Sequence, residues 1–246
     1  MKTEHIAVQL YTLRELTAKD MLGTLRQLAE IGYRAVEFAG YGDATPATIR
    51  ATLDELGMRG IAAHIRLDQL EQNGNEVAEQ MQALGCEYVV VPWIGEEHRG
   101  NVEQVRALAE RLNRAGQRLA EQGLRLGYHN HQFEFAPLDG TTMWELLVAE
   151  TDPALVDFEL DVYWAAFAER DPIPLIEQHN ARLPLLHLKD RATDDRPDAP
   201  LGDGTLPWEQ ILAASQARWH IVEQDHPRDP LEDVTRSLRY LEGRAS

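Results

Sequence analysis

The chain has 246 residues, 43% of them hydrophobic, and a net charge of −17 from 24 basic and 41 acidic side chains. That length suits a single unit such as a (β/α)8 barrel of about 250 residues, and no apolar run nears the roughly 20 residues of a membrane span. So acidic a chain repels phosphate backbones, and with no Lys/Arg-rich run to override this, nucleic acid is not an expected partner. The lone Cys86 cannot form an internal disulfide, and the opening MKTEHIAVQLYTL lacks the apolar core and cleavage site of a secretory signal. The expected location is cytoplasmic.

Taken in order, IAVQLY (Ile6–Tyr11) alternates as a strand, and Thr17 to Ile31 carries Met21, Leu22, Leu25, Leu28 and Ile31 at helical spacing up to Gly32. AVEFAG (Ala35–Gly40) is the second strand. Thr45-Pro46 opens a helix that Gly57 closes, since proline suits a first helical turn. GIAAHI (Gly60–Ile65) is the third strand, followed by a helix from Asp68 to Leu84. YVVVPW (Tyr88–Trp93) is a near-continuous apolar run, as in a parallel strand covered on both faces. A long helix runs from Val102 to Gln122, and the fifth strand is LRLGYHN, Leu124 to Asn130. TTMWELLVAE is a short helix capped at Thr141, and VDFELDV is the sixth strand. Then come a helix at Pro172–His179, the strand LPLLHLK, a loop rich in Asp, Pro and Gly from Arg191 to Leu206, a helix at Trp208–Ala217, the strand RWHIVEQD, and a helix at Pro230–Leu241.

Eight strand–helix alternations without a linker or a low-complexity break predict an α/β chain folded as one (β/α)8 TIM barrel over residues 1–246. An open doubly wound sheet is the alternative, but QLYTLREL after the first strand is unlike the Gly-rich turn of that fold. Successive strand residues point to opposite sides. Val36 and Phe38, then Val156, Phe158 and Leu160, then Leu186 and Leu188 should face the helices. Glu37, Asp161, His187, Lys189 and Glu223 should then face the barrel mouth, where active sites of such barrels lie. His64 closes the third strand, and the fifth ends in His129, Asn130, His131 and, past the strand, Glu134.

Each residue has a plainer reading. His64 could be a hydrogen-bonded structural histidine, Glu37 a buried ion-pair partner, and Lys189 a neutraliser of an acidic mouth. Asp157 and Glu159, deeper in the sixth strand, read as structural. Trp93, Trp164 and Phe133 read equally as core or as a sugar-stacking wall. Asp161, His187 and Glu223 differ, because two carboxylates and an imidazole at inward strand ends are costly without a cation.

With VQLYTLRE, GYRAVEFAG, GYHNHQFEF, LDVYW, LLHLKD, LGDGTLPW and IVEQD in place, the chain resembles the xylose isomerase-like superfamily over its whole length, in particular the sugar phosphate isomerase/epimerase family. The resemblance implies a divalent ion, Mn2+ with Mg2+, Zn2+ or Co2+ as alternatives, held by Glu134, Asp161, His187 and Glu223. Members that epimerise free keto-sugars usually carry a Glu inside the fifth strand, where this chain has YHNH, so His129 or His131 competes with Glu134 for that place. A His three residues after the Asp is replaced by Trp164. YHNHxxEF is more similar to the branch that includes enzymes acting on inosose and 3-keto-sugars by dehydration or lyase chemistry.

These features imply an isomerase or epimerase that works through an enediolate on a keto-sugar or cyclitol, with a dehydratase or lyase as the alternative on the same metal site. His131 and Glu223 are the candidates for base and acid. Lys189 and Glu134 are further catalytic candidates, and Glu37, His64, His129, Asn130 and Trp164 are expected at the substrate. The expected partner is a small-molecule sugar, and a homodimer is compatible with the sequence. Apurinic-site cleavage, known in the same superfamily, needs more metal ligands and a basic DNA face, and a non-catalytic sugar-binding barrel is the remaining rival. The substrate is expected to lack phosphate. The loop after the seventh strand sets Asp190, Asp194, Asp195, Asp198 and Asp203 against only Arg191 and Arg196, and Arg228 in the next loop is offset by Asp225 and Asp229. Gly202 and Gly204 could still form an amide nest there.

Overall fold

Eight parallel strands close on themselves in the computed structural model, which describes residues 2–194 and 197–244. They are β1 (Ile6–Gln9), β2 (Ala35–Phe38), β3 (Arg59–His64), β4 (Tyr88–Val91), β5 (Arg125–His129), β6 (Val156–Asp161), β7 (Leu185–Leu188) and β8 (Trp219–Val222). Each pairs with its sequence neighbours, and β1 joins β8 through Ile6 opposite His220 and Val8 opposite Val222. The outer ring includes α1 (Met21–Ile31), α2 (Pro46–Leu56), α3 (Leu67–Leu84), α4 (Val102–Glu121), α5 (Met143–Glu150), α6 (Val162–Phe167), α7 (Pro172–His179), α8 (Trp208–Ala214) and α9 (Pro230–Glu242). Among the described residues no helix is long and apolar enough to cross a membrane.

Local chemistry sets the ends of these elements. Thr45 caps α2 in a box with Thr48, Asp229 caps α9, and each of these helices has proline at its start. The cap of α5 is Thr142, one residue past the Thr141 expected from sequence. Its hydroxyl accepts from Glu145 N while the Glu145 carboxylate accepts from Thr142 N. The sixth strand is shorter than its apolar run. It stops at Asp161, because Asp161 Oδ1 accepts from Trp164 N at 3.0 Å and starts α6 within what reads as strand and loop.

The barrel has two interiors. Val8, Val36, Phe38, Val89, Val91, Leu126, Tyr128, Val156, Phe158, Leu160, Leu186, Leu188 and Val222 point outward and pack under the helices. Inside, Ala7, Ala35, Ala62, Tyr88, Val90, Leu185, Trp219 and Ile221 fill the lower barrel. Gly127 belongs to this packing, since a Cβ there would lie 3.1 Å from Val90 Cγ2. Above the apolar plug the inward positions turn polar and carry Gln9, Glu37, His64, His129, Glu159, Asp161, His187, Lys189 and Glu223. The helical shell is equally tight where α4 crosses the start of β6. Gly116 would place a Cβ 2.5 Å from Leu155 O, and a backbone atom cannot move aside. Alanine normally gains about 1 kcal/mol over glycine inside a helix. Here Gly116→Ala is expected to lose stability instead, lowering the thermal midpoint by about 2–4 °C for each kcal/mol of overpacking. A melt that rises would contradict the packing described.

Candidate active site

Strand register brings the polar layer together. Gln9 lies opposite Glu37, His129 opposite Glu159, and Asp161 opposite His187. Glu159 is the hub. Its Oε2 lies 2.8 Å from His64 Nε2, 3.1 Å from His129 Nδ1 and 3.1 Å from His187 Nε2. The same His187 nitrogen is 2.7 Å from Glu37 Oε2, which also accepts from Gln9 Nε2 at 2.9 Å. One level up, His187 Nδ1 is 2.9 Å from Glu223 Oε2, and His129 Nε2 faces Asp161 Oδ2 at 3.9 Å. Lys189 Nζ, fully buried, lies 3.1 Å from Asp161 Oδ2, 3.0 Å from Glu223 Oε2 and 2.9 Å from Asp225 Oδ2.

Burial disfavours every charge here, and the neighbours decide the outcome. Burial raises Glu37 to about 7, with the charge of Glu159 adding to the shift. Glu159 is held well below the usual carboxylate range because His187, His64 and His129 outweigh its burial. Glu223 is likewise held low by Lys189 and His187 against burial. Lys189 and His187 remain charged despite burial, Lys189 through Asp161, Glu223 and Asp225, and His187 through Glu159, Glu223 and Glu37. Burial pushes His131 down to about 2, helped by His129 and Lys189.

Two quartets of potential ligand atoms lie within 4.8 Å of one another, His64–His129–Glu159–His187 and His129–Asp161–His187–Glu223. In the first, three imidazole nitrogens already converge on one carboxylate oxygen. The second offers two imidazoles and two carboxylates, a donor set suited to a borderline divalent ion. It also contains Asp161 Oδ2, a buried oxygen without a hydrogen bond whose nearby ammonium makes only an ion pair. The residues present therefore fit a divalent ion.

Two residues expected at the centre sit elsewhere. Glu134, expected as ligand and catalytic group, lies behind β5, where Tyr128 donates to its Oε1 at 2.7 Å and His131 N to its Oε2 at 2.8 Å. Tyr128 is one residue out of phase with His129 and faces the helices, so a group bonded to it is turned from the barrel mouth. Burial raises Glu134 to about 8. Asn130, expected at the substrate, spans two strand ends instead. Its Oδ1 accepts from Asp161 N at 2.9 Å and its Nδ2 donates to Asp161 O at 3.3 Å.

Above the centre a cavity of about 470 Å³ is walled by Tyr11, Arg14, Trp93, His131, Trp164 and His226, with His64, His129, Lys189, Glu223 and Asp225 also facing it. Trp93 and Trp164 thus stand at the cavity wall. Phe133 backs it, stacked against His131 with centroids 5.7 Å apart and planes 3° from parallel. The sequence reading passed over Gln9 and Arg14, counted Asp225 only in the charge of its loop, and set Glu159 aside as structural. The signal for Glu159 was present, because it shares the parity of Asp161.

After β7 the loop closes around Asp190, which is fully buried. Its carboxylate accepts from the amides of Arg191, Gly202, Gly204 and Leu206 at 2.9–3.1 Å and from Trp208 Nε1 at 2.7 Å. The amide nest that Gly202 and Gly204 could form is present and holds a carboxylate of the chain itself. Asp195 and Arg196, counted in the charge balance of this loop, lie outside the described residues.

Residues 25–243 match the model of the Xylose isomerase-like TIM barrel family. The chain belongs to this family. Among xylose isomerase-like relatives, an inosose dehydratase from Geobacillus kaustophilus is 27% identical over 188 residues, 68% of this chain and 60% of the relative. The chain thus spans about three fifths of that relative's length. A crystal structure of a sugar phosphate isomerase/epimerase from Parabacteroides distasonis superposes with a TM-score of 0.82 at 26% identity, covering 96% of this chain and 93% of the other. The IOLI protein with a bound zinc atom shares the fold, with a TM-score of 0.78 at 14% identity over 99% of this chain and 97% of the other.

The Asn130 clamp gives a direct test of how the β5 and β6 ends are joined. Asn130→Ala removes both hydrogen bonds to the Asp161 backbone and takes from its buried amide the Asn130 acceptor, at a cost of about 1–3 kcal/mol. Denaturant titration is expected to report a loss in that range. A variant as stable as the parent would show that the clamp contributes nothing.

Proposed function

We propose that the chain is a divalent-metal-dependent isomerase or epimerase acting through an enediolate on a keto-sugar or related cyclitol. The observation that carries this reading is the buried quartet His129, Asp161, His187 and Glu223 at the floor of a cavity of sugar size. In this assignment His129 takes the fifth-strand ligand place and Glu134 does not. A bound divalent ion, Mn2+ or one of Mg2+, Zn2+ and Co2+, supplies Lewis acidity that acidifies the C–H beside a carbonyl.

The chain's own residues would handle the proton. Glu223 is an ionised carboxylate facing the cavity and is the acceptor in this reading. Lys189, kept as an ammonium by three carboxylates, is the donor. His131, first considered as the base, is reassigned to the wall, where its ring stacks on Phe133 with planes 3° from parallel. Its ring and Trp164, with centroids 5.4 Å apart, offer faces for the apolar side of a sugar. Return of the proton to the neighbouring carbon is isomerisation, and return to the opposite face is epimerisation.

A second reading, dehydration, is favoured by the inosose dehydratase relative. Here Lys189 would protonate a departing β-hydroxyl. The two readings share every residue named and differ in the product. Incubation of ketoses and inososes with the Mn2+-loaded protein in D2O is expected to place deuterium on carbon, and loss of water from the product would select dehydration. Glu223→Gln is expected to lower turnover by about 10²–10⁴-fold while circular dichroism stays unchanged. Parental activity in that variant would remove Glu223 from the chemistry.

We also assign an unphosphorylated substrate. Phosphate sites in this fold commonly lie in the loops after the seventh and eighth strands, where backbone amides receive the anion. What supports the assignment is that the amides after β7 are already bonded to Asp190, and Lys189 is already matched by three carboxylates. For matched pairs, kcat/KM is expected to be higher for the free ketose than for its phosphate ester. The opposite order would overturn the assignment.

A further inference from the structure

We propose that Glu159 is a positioning residue that fixes which nitrogen of His129 and of His187 faces the ion, an inference that rests on the metal reading above. A neutral imidazole has one N–H and one lone pair, and an ionised carboxylate can only accept. His129 Nδ1, 3.1 Å from Glu159 Oε2, therefore carries the hydrogen, which leaves the lone pair on Nε2, the atom turned to Asp161. His187 Nε2 faces Glu159 and Glu37 while its Nδ1 faces Glu223. An ion in the quartet would take the place of a proton on Nδ1, and the two lower carboxylates would keep the other proton on Nε2. His129 Nε2 and His187 Nδ1 thus face one quartet. The reversed tautomer of His129 would press a lone pair against an anionic oxygen. His64 donates to the same oxygen from the third strand and is assigned as a brace, not a ligand. Carboxylates that fix metal-bound histidines in this way typically change metal affinity by about 10–100-fold when removed.

The test uses the full chain and Zn2+ alone. In the zinc-loaded parent, long-range 1H–15N NMR is expected to find the proton on Nδ1 of His129 and on Nε2 of His187. Glu159→Gln keeps the volume but offers an amide donor as well as an acceptor. It is expected to weaken zinc about 10–100-fold in competition with a chelator and to give mixed tautomers at His129. Glu37→Gln should disturb His187 and leave His129 as it was. A merely structural role for Glu159 would lower stability without moving the tautomers. Unchanged affinity and tautomers in Glu159→Gln overturn the proposal. Should that variant not fold, the parent spectrum decides, because a proton on His129 Nε2 overturns it equally. Zinc bound through His64 overturns the proposal and leaves the metal reading standing, whereas no zinc binding by the parent overturns both.

Discussion

Three imidazoles from three different strands meet on one carboxylate oxygen, Glu159 Oε2, and the upper barrel depends on that meeting. The oxygen lies inside a closed barrel where water cannot replace a lost partner. Each N–H it accepts fixes a ring, and the fixed rings of His129 and His187 present their other nitrogens to the level above. Glu37 and Gln9 extend the same floor across β1 and β2. The level above contains the two carboxylates and the lysine that give the mouth its chemistry. Rigidity at the mouth is thus inherited from hydrogen bonds one layer deeper, which is how preorganised sites are generally supported.

So many ionisable groups in one buried volume are tolerable only because the charges alternate in depth. Glu37 and Glu159 face His64 and His187, while Asp161, Glu223 and Asp225 face Lys189. Glu37 absorbs the residual strain, since its shift to about 7 lets it carry a proton near neutrality beside the ionised Glu159. Three carboxylate oxygens in this volume, Glu37 Oε1, Glu159 Oε1 and Asp161 Oδ2, are buried without a hydrogen bond, each at a desolvation cost of about 1–3 kcal/mol. The one at the mouth, Asp161 Oδ2, lies in the quartet with His129, His187 and Glu223.

Much of this was legible in the chain itself, and the failures share a cause. Two-residue periodicity assigns Glu37, Asp161, His187 and Glu223 to the inside of the barrel, and there they lie. The eight alternations give the closed barrel. Periodicity stops where the strand stops, so Glu134 could not be oriented, and its bond to Tyr128 turns it outward. Asn130 falls at the same break, and its partners belong to another strand. Glu159 had the right parity but the wrong depth to attract notice. Its role arises from register between strands far apart in sequence, 95 residues separating it from His64. Asp190 was read as one more acid in an acidic loop, whereas folding turns it into the anion around which that loop closes.

The inner face of β6 carries the division of labour most plainly. Asp157, Glu159 and Asp161 are three carboxylates on one face of one strand, two residues apart, and each meets a different counter-charge. At the lower end Arg125, itself half in solvent, grips Asp157 through two hydrogen bonds of 2.6 and 2.8 Å. That pair needs nothing further and belongs to the foundation. In the middle Glu159 is matched by imidazoles, of which His129 and His187 turn their other nitrogens toward Asp161 and Glu223. At the top Asp161 spends one oxygen on capping α6 and keeps the other for the mouth. Moving up the strand, the match passes from a guanidinium to titratable rings to the buried ammonium of Lys189, which also borders the cavity above.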